Sequence, residues 1–170
     1  MTHRHADHIA GVPDIRSYTR DRSEPLDMYG SAETLDAVKQ AFGYVFDPGT
    51  FIGGGIPRLG LKPVHGPFDL FGETVTPIRV EHGDTRGCFG YRIGAMAYIP
   101  DMKAIDASQV ALLEGLDVLI LNCLRIEREH STHLLLGESM ELARRIRPNS
   151  CVFVHMCHDI DYEADSAVME

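Results

Sequence analysis

Thr2-His3-Arg4-His5-Ala6-Asp7-His8 places four potential metal ligands, His3, His5, Asp7 and His8, within one short stretch. Neutral imidazoles beside a carboxylate suit Zn²⁺ and other first-row ions such as Mn²⁺ or Fe. On an extended segment, His3 and His5 return to the same side. A turn at Asp7-His8 then directs the second pair towards a neighbouring position, so the spacing predicts two adjacent metal sites. A purification tag would be a run of histidine alone, and the ordered Asp7 argues against one.

Three residues further along end expected strands. His82 closes a strand over 74–81 and precedes Gly83, Asp101 follows a strand over 96–99, and His155 closes a strand over 151–154. The ends of neighbouring strands converge on one rim of a sheet, and beside the opening motif these three read as further ligands. His130 and His133 lie in Glu129-His130-Ser131-Thr132-His133, ahead of a helix expected over 135–146. Local sequence reads them as helix-start polarity, with Ser131 or Thr132 as the cap. The functional alternative is a proton-transfer imidazole held near the metals. His65 is read as a surface residue.

Between these positions the chain reads as alternating elements. A strand over 26–30 leads into a helix capped by Ser31, with Leu35, Val38 and Phe42 on one face. A stretch rich in Gly and Pro over 48–72 reads as a long loop. Strands are expected over 74–81, 88–94 and 96–99, a weak helix over 105–114, and a buried strand over 118–121. The helix over 135–146 puts Leu135, Leu142, Ala143 and Ile146 on one face, and Pro148 stops it. Residues after Tyr162 read as frayed. Mixed strands followed by strand-helix-strand predict an α/β layered domain, residues 1–170 forming one unit.

Competing motifs are weak. Gly53-Gly54-Gly55 lacks the Gly-Lys-Ser/Thr ending of a phosphate loop. Arg144, Arg145 and Arg147 suit a solvated helix end, where they complement the dipole. Gly-x-Ser-x-Gly does not occur, and no cysteine has an activating setting, so acyl-enzyme chemistry has no support.

Composition sets the outer bounds. The 170 residues, 44% hydrophobic and 24% charged, are enough for one domain with a real core and argue against general disorder. A net charge of -9 weighs against a nucleic-acid track. No apolar run is long enough to span a bilayer, and the first residues lack the pattern of a signal peptide. Four cysteines without a Cys-x-x-Cys pair suit a reducing compartment, so the expectation is cytoplasmic, with no membrane partner. With no strand ahead of it, the Thr2–His8 motif predicts either a truncated chain or support from another subunit.

Thr2-His3-Arg4-His5-Ala6-Asp7-His8 resembles the Thr-His-x-His-x-Asp-His signature of the metallo-β-lactamase superfamily, and the order His82, Asp101, His155 follows it. Gly90-Tyr91-Arg92-Ile93 and His155-Met156-Cys157-His158-Asp159 make the chain most similar to the branch containing the phosphoribosyl 1,2-cyclic phosphate phosphodiesterase. The resemblance implies a four-layered αββα sandwich whose first strands are missing here. The open edge this leaves invites pairing with a second copy.

The same resemblance implies a ligand set and a chemistry. His3, His5 and His82 would hold one divalent ion, Zn or Mn. Asp7, His8 and His155 would hold a second, with Asp101 bridging both. His158 would orient ligands without binding metal. His133 matches the branch's catalytic histidine and joins Asp7 in the catalytic group. The implied activity is hydrolysis of a small or cyclic phosphodiester by a metal-bridging hydroxide. The alternatives are an RNA-processing nuclease or another hydrolase of the superfamily, and a non-catalytic metal-binding fragment. A β-lactamase is the weakest reading, because fold does not fix substrate. Asn122 stands where many relatives carry Asp.

Overall fold

The computed structural model describes every residue except Ile52, Gly54 and Glu170, so the middle of Gly53-Gly54-Gly55 lies outside the described residues. The chain divides into two units, Met1–Gly66 with Thr85–Phe89, and Pro67–Asp84 with the chain from Gly90 onward.

In the first unit the opening histidines lead into α1 (Ala6–Ile9), followed by α2 (Arg16–Thr19), β1 (Leu26–Gly30), α3 (Ala32–Ala41), α4 (Gly43–Phe46) and β2 (Leu59–Pro63). Asp7 and His8 lie in a helical turn where the sequence predicts a simple reversal, and extended His5 is the residue ahead of it. Ser31 caps α3 as expected, its hydroxyl accepting from the Thr34 N–H at 3.2 Å. Leu35 and Val38 of α3 pack with Ile9, Val12 and Met28 to form this unit's core.

β1 and β2 pair in parallel, Leu26 opposite Leu59 and Gly30 opposite Pro63. This corrects the expectation of a loop over 48–72, which also contains β3 (Phe68–Leu70). The abundant Gly and Pro conceal a short strand start. It is pinned by backbone bonding from Leu26 N–H to the Arg58 carbonyl at 2.9 Å and continued by Val64 N–H to the Gly30 carbonyl at 2.8 Å.

The second unit adds β4 (Glu73–Arg79), β5 (Phe89–Ile93), β6 (Met96–Ile99), α5 (Ala107–Val110), β7 (Val118–Asn122), α6 (Leu136–Ile146), β8 (Ser150–Val154) and α7 (Tyr162–Met169). Its sheet runs β3-β4-β5-β6-β7-β8. The β5–β6 pair is antiparallel, whereas β6, β7 and β8 run parallel, with Ile99 opposite Leu121 and Asn122 opposite Val154. Ala97, Ile99, Leu119 and Leu121 are wholly buried and pack with Ile78, Met102, Leu113 and Ile146.

Three helical regions differ from expectation. The cap of α6 is neither Ser131 nor Thr132: Glu138 reaches back to accept the Leu135 N–H at 2.8 Å, satisfying one of the helix's open donors. The weak helix over 105–114 resolves into α5 and a tighter turn over Ala111–Leu113. Residues expected to fray form α7.

The parallel run decides where chemistry can collect. The strands β6, β7 and β8 all end on one rim, where Asp101, Asn122 and His155 follow or finish them. A bridge between Glu81 and Ala104, with Glu81 N–H bonded to the Ala104 carbonyl at 2.9 Å, ties the segment carrying His82 to the loop after β6.

Candidate metal centre

In the first unit, His3 is fully buried, and its Nε2 lies 3.0 Å from Nδ1 of His5. Two nitrogens on a tetrahedral ion with bonds of about 2.0–2.1 Å stand about 3.3 Å apart, close to this spacing. The other ring nitrogens are engaged by hydroxyls. Thr2 Oγ1 lies 3.3 Å from Nδ1 of both His3 and His8, and Thr85 Oγ1 lies 3.1 Å from His5 Nε2. His8 Nε2 is 3.2 Å from the Asp7 carboxylate. Hydroxyls on the outer nitrogens fix ring orientation and leave the inner ones to meet a cation.

In the second unit, His82, Asp101 and His133 bring ligand atoms within 4.8 Å of one another. Asp101 Oδ1 takes His133 Nε2 at 2.8 Å and His155 Nε2 at 3.0 Å. His82 Nδ1 donates to the Thr132 carbonyl at 2.8 Å, which fixes the orientation of the ring. His155 adopts φ 63°, a left-handed conformation uncommon outside glycine. That turn at the end of β8 directs the imidazole to Asp101 instead of continuing the strand. Imidazoles oriented by other groups around a buried carboxylate form a donor set that fits a first-row divalent ion.

A cationic neighbourhood adjoins His133. Its Nδ1 lies 3.2 Å from Nδ1 of His130. Burial first, then the positive groups of His133, Arg125, Lys103 and Arg128, hold His130 below the ordinary imidazole range. Burial and then the Asp101 carboxylate push the Tyr98 phenol up.

The sequence-predicted residues thus fall into two groups, His3, His5, Asp7 and His8 in one unit and His82, Asp101, His133 and His155 in the other. His158 is exposed, its Nε2 lying 3.3 Å from Asp159. His65 lies on the surface as expected. Sequence reading passed over Thr85, Arg125 and Arg128, and took Thr132 only as a helix cap, whereas its carbonyl accepts from His82 and its hydroxyl lies 2.9 Å from His133 Nδ1. The threonines carry no spacing signal, whereas Arg125-Ile126-Glu127-Arg128 ahead of His130 was visible as a local concentration of basic residues in an acidic chain.

A family model described as a beta-lactamase superfamily domain matches residues 1–156. A Porphyromonas gingivalis protein named octanoyltransferase is 31% identical over 158 residues, covering 93% of this chain and 32% of that protein. A crystal structure of a diphosphatase from the PhnP family superposes with a TM-score of 0.84 at 32% identity, covering 95% of this chain and 61% of that one. The metallo-β-lactamase fold protein YhfI from Bacillus subtilis follows at 0.73 and 20% identity, covering 95% and 65%, a likeness of fold alone. The chain therefore spans about a third of the curated relative and less than two thirds of either solved structure.

Proposed function

We propose that this chain, which belongs to the beta-lactamase superfamily and carries its mixed α/β fold, acts as a dinuclear metal-dependent hydrolase on a small or cyclic phosphodiester. The observation that carries the reading is the single Asp101 oxygen that receives both His133 and His155. A diphosphatase at 32% identity supports the choice of a substrate cleaved at phosphorus.

His3, His5 and His82 are proposed to hold one ion and Asp7, His8 and His155 the other, with Asp101 shared. Bound ions of this class lower the pKa of a water towards neutrality and neutralise charge on phosphoryl oxygens. The chain's own groups do the rest. Thr2, Thr85 and Thr132 set the imidazole orientations. His133 lies between Asp101 at Nε2 and the His130–Thr132 pair at Nδ1, so it is able to hold a proton and deliver it. As water oxygen bonds to phosphorus and the phosphorus–oxygen bond to the leaving group breaks, that proton passes from His133 to the departing oxygen.

The test is metal content by plasma mass spectrometry on protein carrying no His tag, paired with hydrolysis of bis(p-nitrophenyl) phosphate. We expect near two equivalents of Zn or Mn and measurable turnover. His133→Ala should lower turnover about 10²–10⁴-fold with metal retained. No uptake on titration with either metal would overturn the reading.

A further inference from the structure

Besides its share of the candidate ligands, the first unit holds a concave pocket of about 610 Å³, within the range of about 300–1,000 Å³ in which small-molecule sites fall. We propose that this pocket binds a small carboxylate carried on an aliphatic or aromatic body. Arg16, Arg20 and Arg58 receive the carboxylate, and Phe46, Ile56 and Leu59 receive the body. None of the lining residues is a candidate metal ligand, so this site and the hydrolase reading stand or fall separately.

The arginines are placed by the backbone and not by acids. Arg16 opens α2, and Arg20 follows that helix with helical dihedrals, φ −55° and ψ −49°. Residues four apart on a helix are neighbours on its surface, so these two side chains share one face. Thr19, beside them, is wholly buried. Its hydroxyl donates to the Arg16 carbonyl at 3.2 Å and accepts the Arg58 N–H at 3.1 Å. That hydroxyl fastens the segment entering β2 to α2 and brings the third arginine to the same hollow. The Arg58 guanidinium is held in turn, Nη1 donating to the Arg22 carbonyl at 2.6 Å and Nη2 to the Ser23 carbonyl at 2.9 Å. Carbonyl oxygens orient a guanidinium without neutralising it, and a fork of five donors has others to offer.

Three like charges around one hollow repel one another unless an anion lies among them. Among the described residues no acid lines the pocket, and neither Arg16 nor Arg20 forms an ion pair. Asp14, Asp21 and Glu24 are close in sequence, but they are exposed and pair with none of the three arginines. In a chain of net charge -9, unneutralised cations gathered in one place are a local exception. The walls supply the second half of the signal. Val45 is buried, and Phe46, Ile56 and Leu59 are half-buried. A bare inorganic anion would leave those walls in water. A planar carboxylate matches the guanidinium fork, and its body removes apolar wall from solvent.

The experiment is calorimetry on the full chain with three probes, decanoate, decanol and acetate. Decanol has the body without the charge, and acetate has the headgroup without the body. Decanoate should bind at one per chain, at least about tenfold more tightly than either, the scale of one charge-assisted hydrogen bond. Arg16 and Arg20 are exposed, so replacing them leaves the fold intact. Arg16→Ala and Arg20→Ala should each weaken decanoate several-fold, and the double variant should bring it to the level of decanol, whose own affinity stays unchanged. Absent binding of decanoate, or equal affinity for decanol or acetate, would overturn the site. So would decanoate affinity that neither arginine substitution moves, which is the result expected if metal ions held the carboxylate instead.

Discussion

At His82 the imidazole donates from Nδ1 to the Thr132 carbonyl, and the adjoining Gly83 makes that approach feasible. Gly83 has φ +59°, and a Cβ there would meet Thr132 Cγ2 at 2.5 Å, so a methyl group forces the very residue that aims His82 to move. Loss of such an orienting contact typically costs 10–100-fold in metal affinity. Gly83→Ala should therefore weaken Zn binding about 10–100-fold in competition with a chromophoric chelator, and unchanged affinity would show that Thr132 does not orient the ring. Asn122 poses the opposite case. It is wholly buried, its carbonyl accepts from Ser139 at 2.7 Å, and neither amide atom of its side chain has a hydrogen-bond partner among the described residues. A buried polar group left unmatched costs about 1–3 kcal/mol. Asn122→Leu should accordingly raise unfolding free energy in urea by about 1–3 kcal/mol, and a loss would mean the amide is satisfied in solution.

Elements were legible where one simple period applied. Val118-Leu119-Ile120-Leu121 is apolar throughout because it lies between parallel neighbours, and Ser31 announced α3 through capping chemistry. β2 was not legible, since Gly60 and Pro63 carry turn chemistry while its pairing to β1 is long-range. The site followed the same division: strand-end positions exposed His82, Asp101 and His155, whereas the hydroxyls and arginines around them depend on contacts that no local pattern encodes. Two thiols test how tightly the parallel core closes. Burial pushes Cys123, just past β7, and Cys151, in β8, from the usual 9.0 up to about 11. A raised thiol pKa means that the unfolded chain ionises first. The stabilisation is present in full below about pH 9 and is lost as pH rises from there through about 11. Urea unfolding should show stability falling over that window, and a Cys123→Ala, Cys151→Ala variant should show a shallower fall. Parallel slopes for the two proteins would place these thiols in contact with water.

At the scale of the whole molecule, the candidate donors divide between the units, His3, His5, Asp7 and His8 in one and His82, Asp101, His133 and His155 in the other. No described helix is long and apolar enough to cross a membrane. The matches extend over most of this chain but only 32% and 61% of the octanoyltransferase and the diphosphatase, so turnover of any substrate belongs to experiment. Stability offers a readout that does not depend on finding the substrate. Four donors lie close together in sequence, but the full set runs from His3 to His155, and an unfolded chain does not gather that set. An ion that binds the folded state alone adds RT ln(1 + [M]/Kd), about 2.7 kcal/mol at a hundredfold excess over Kd. For a chain of this size that corresponds to a rise of roughly 5–11 °C in Tm. Zn or Mn should produce that rise in the metal-free protein, and a chelator should reverse it. Asp101→Asn should shrink the rise by more than half, because it removes the carboxylate on which two imidazoles converge. If metal leaves Tm unchanged in the wild type, the folded chain does not hold the ions and the proposed chemistry falls with them. If Tm rises equally in Asp101→Asn, the ions bind elsewhere and Asp101 loses its assigned place.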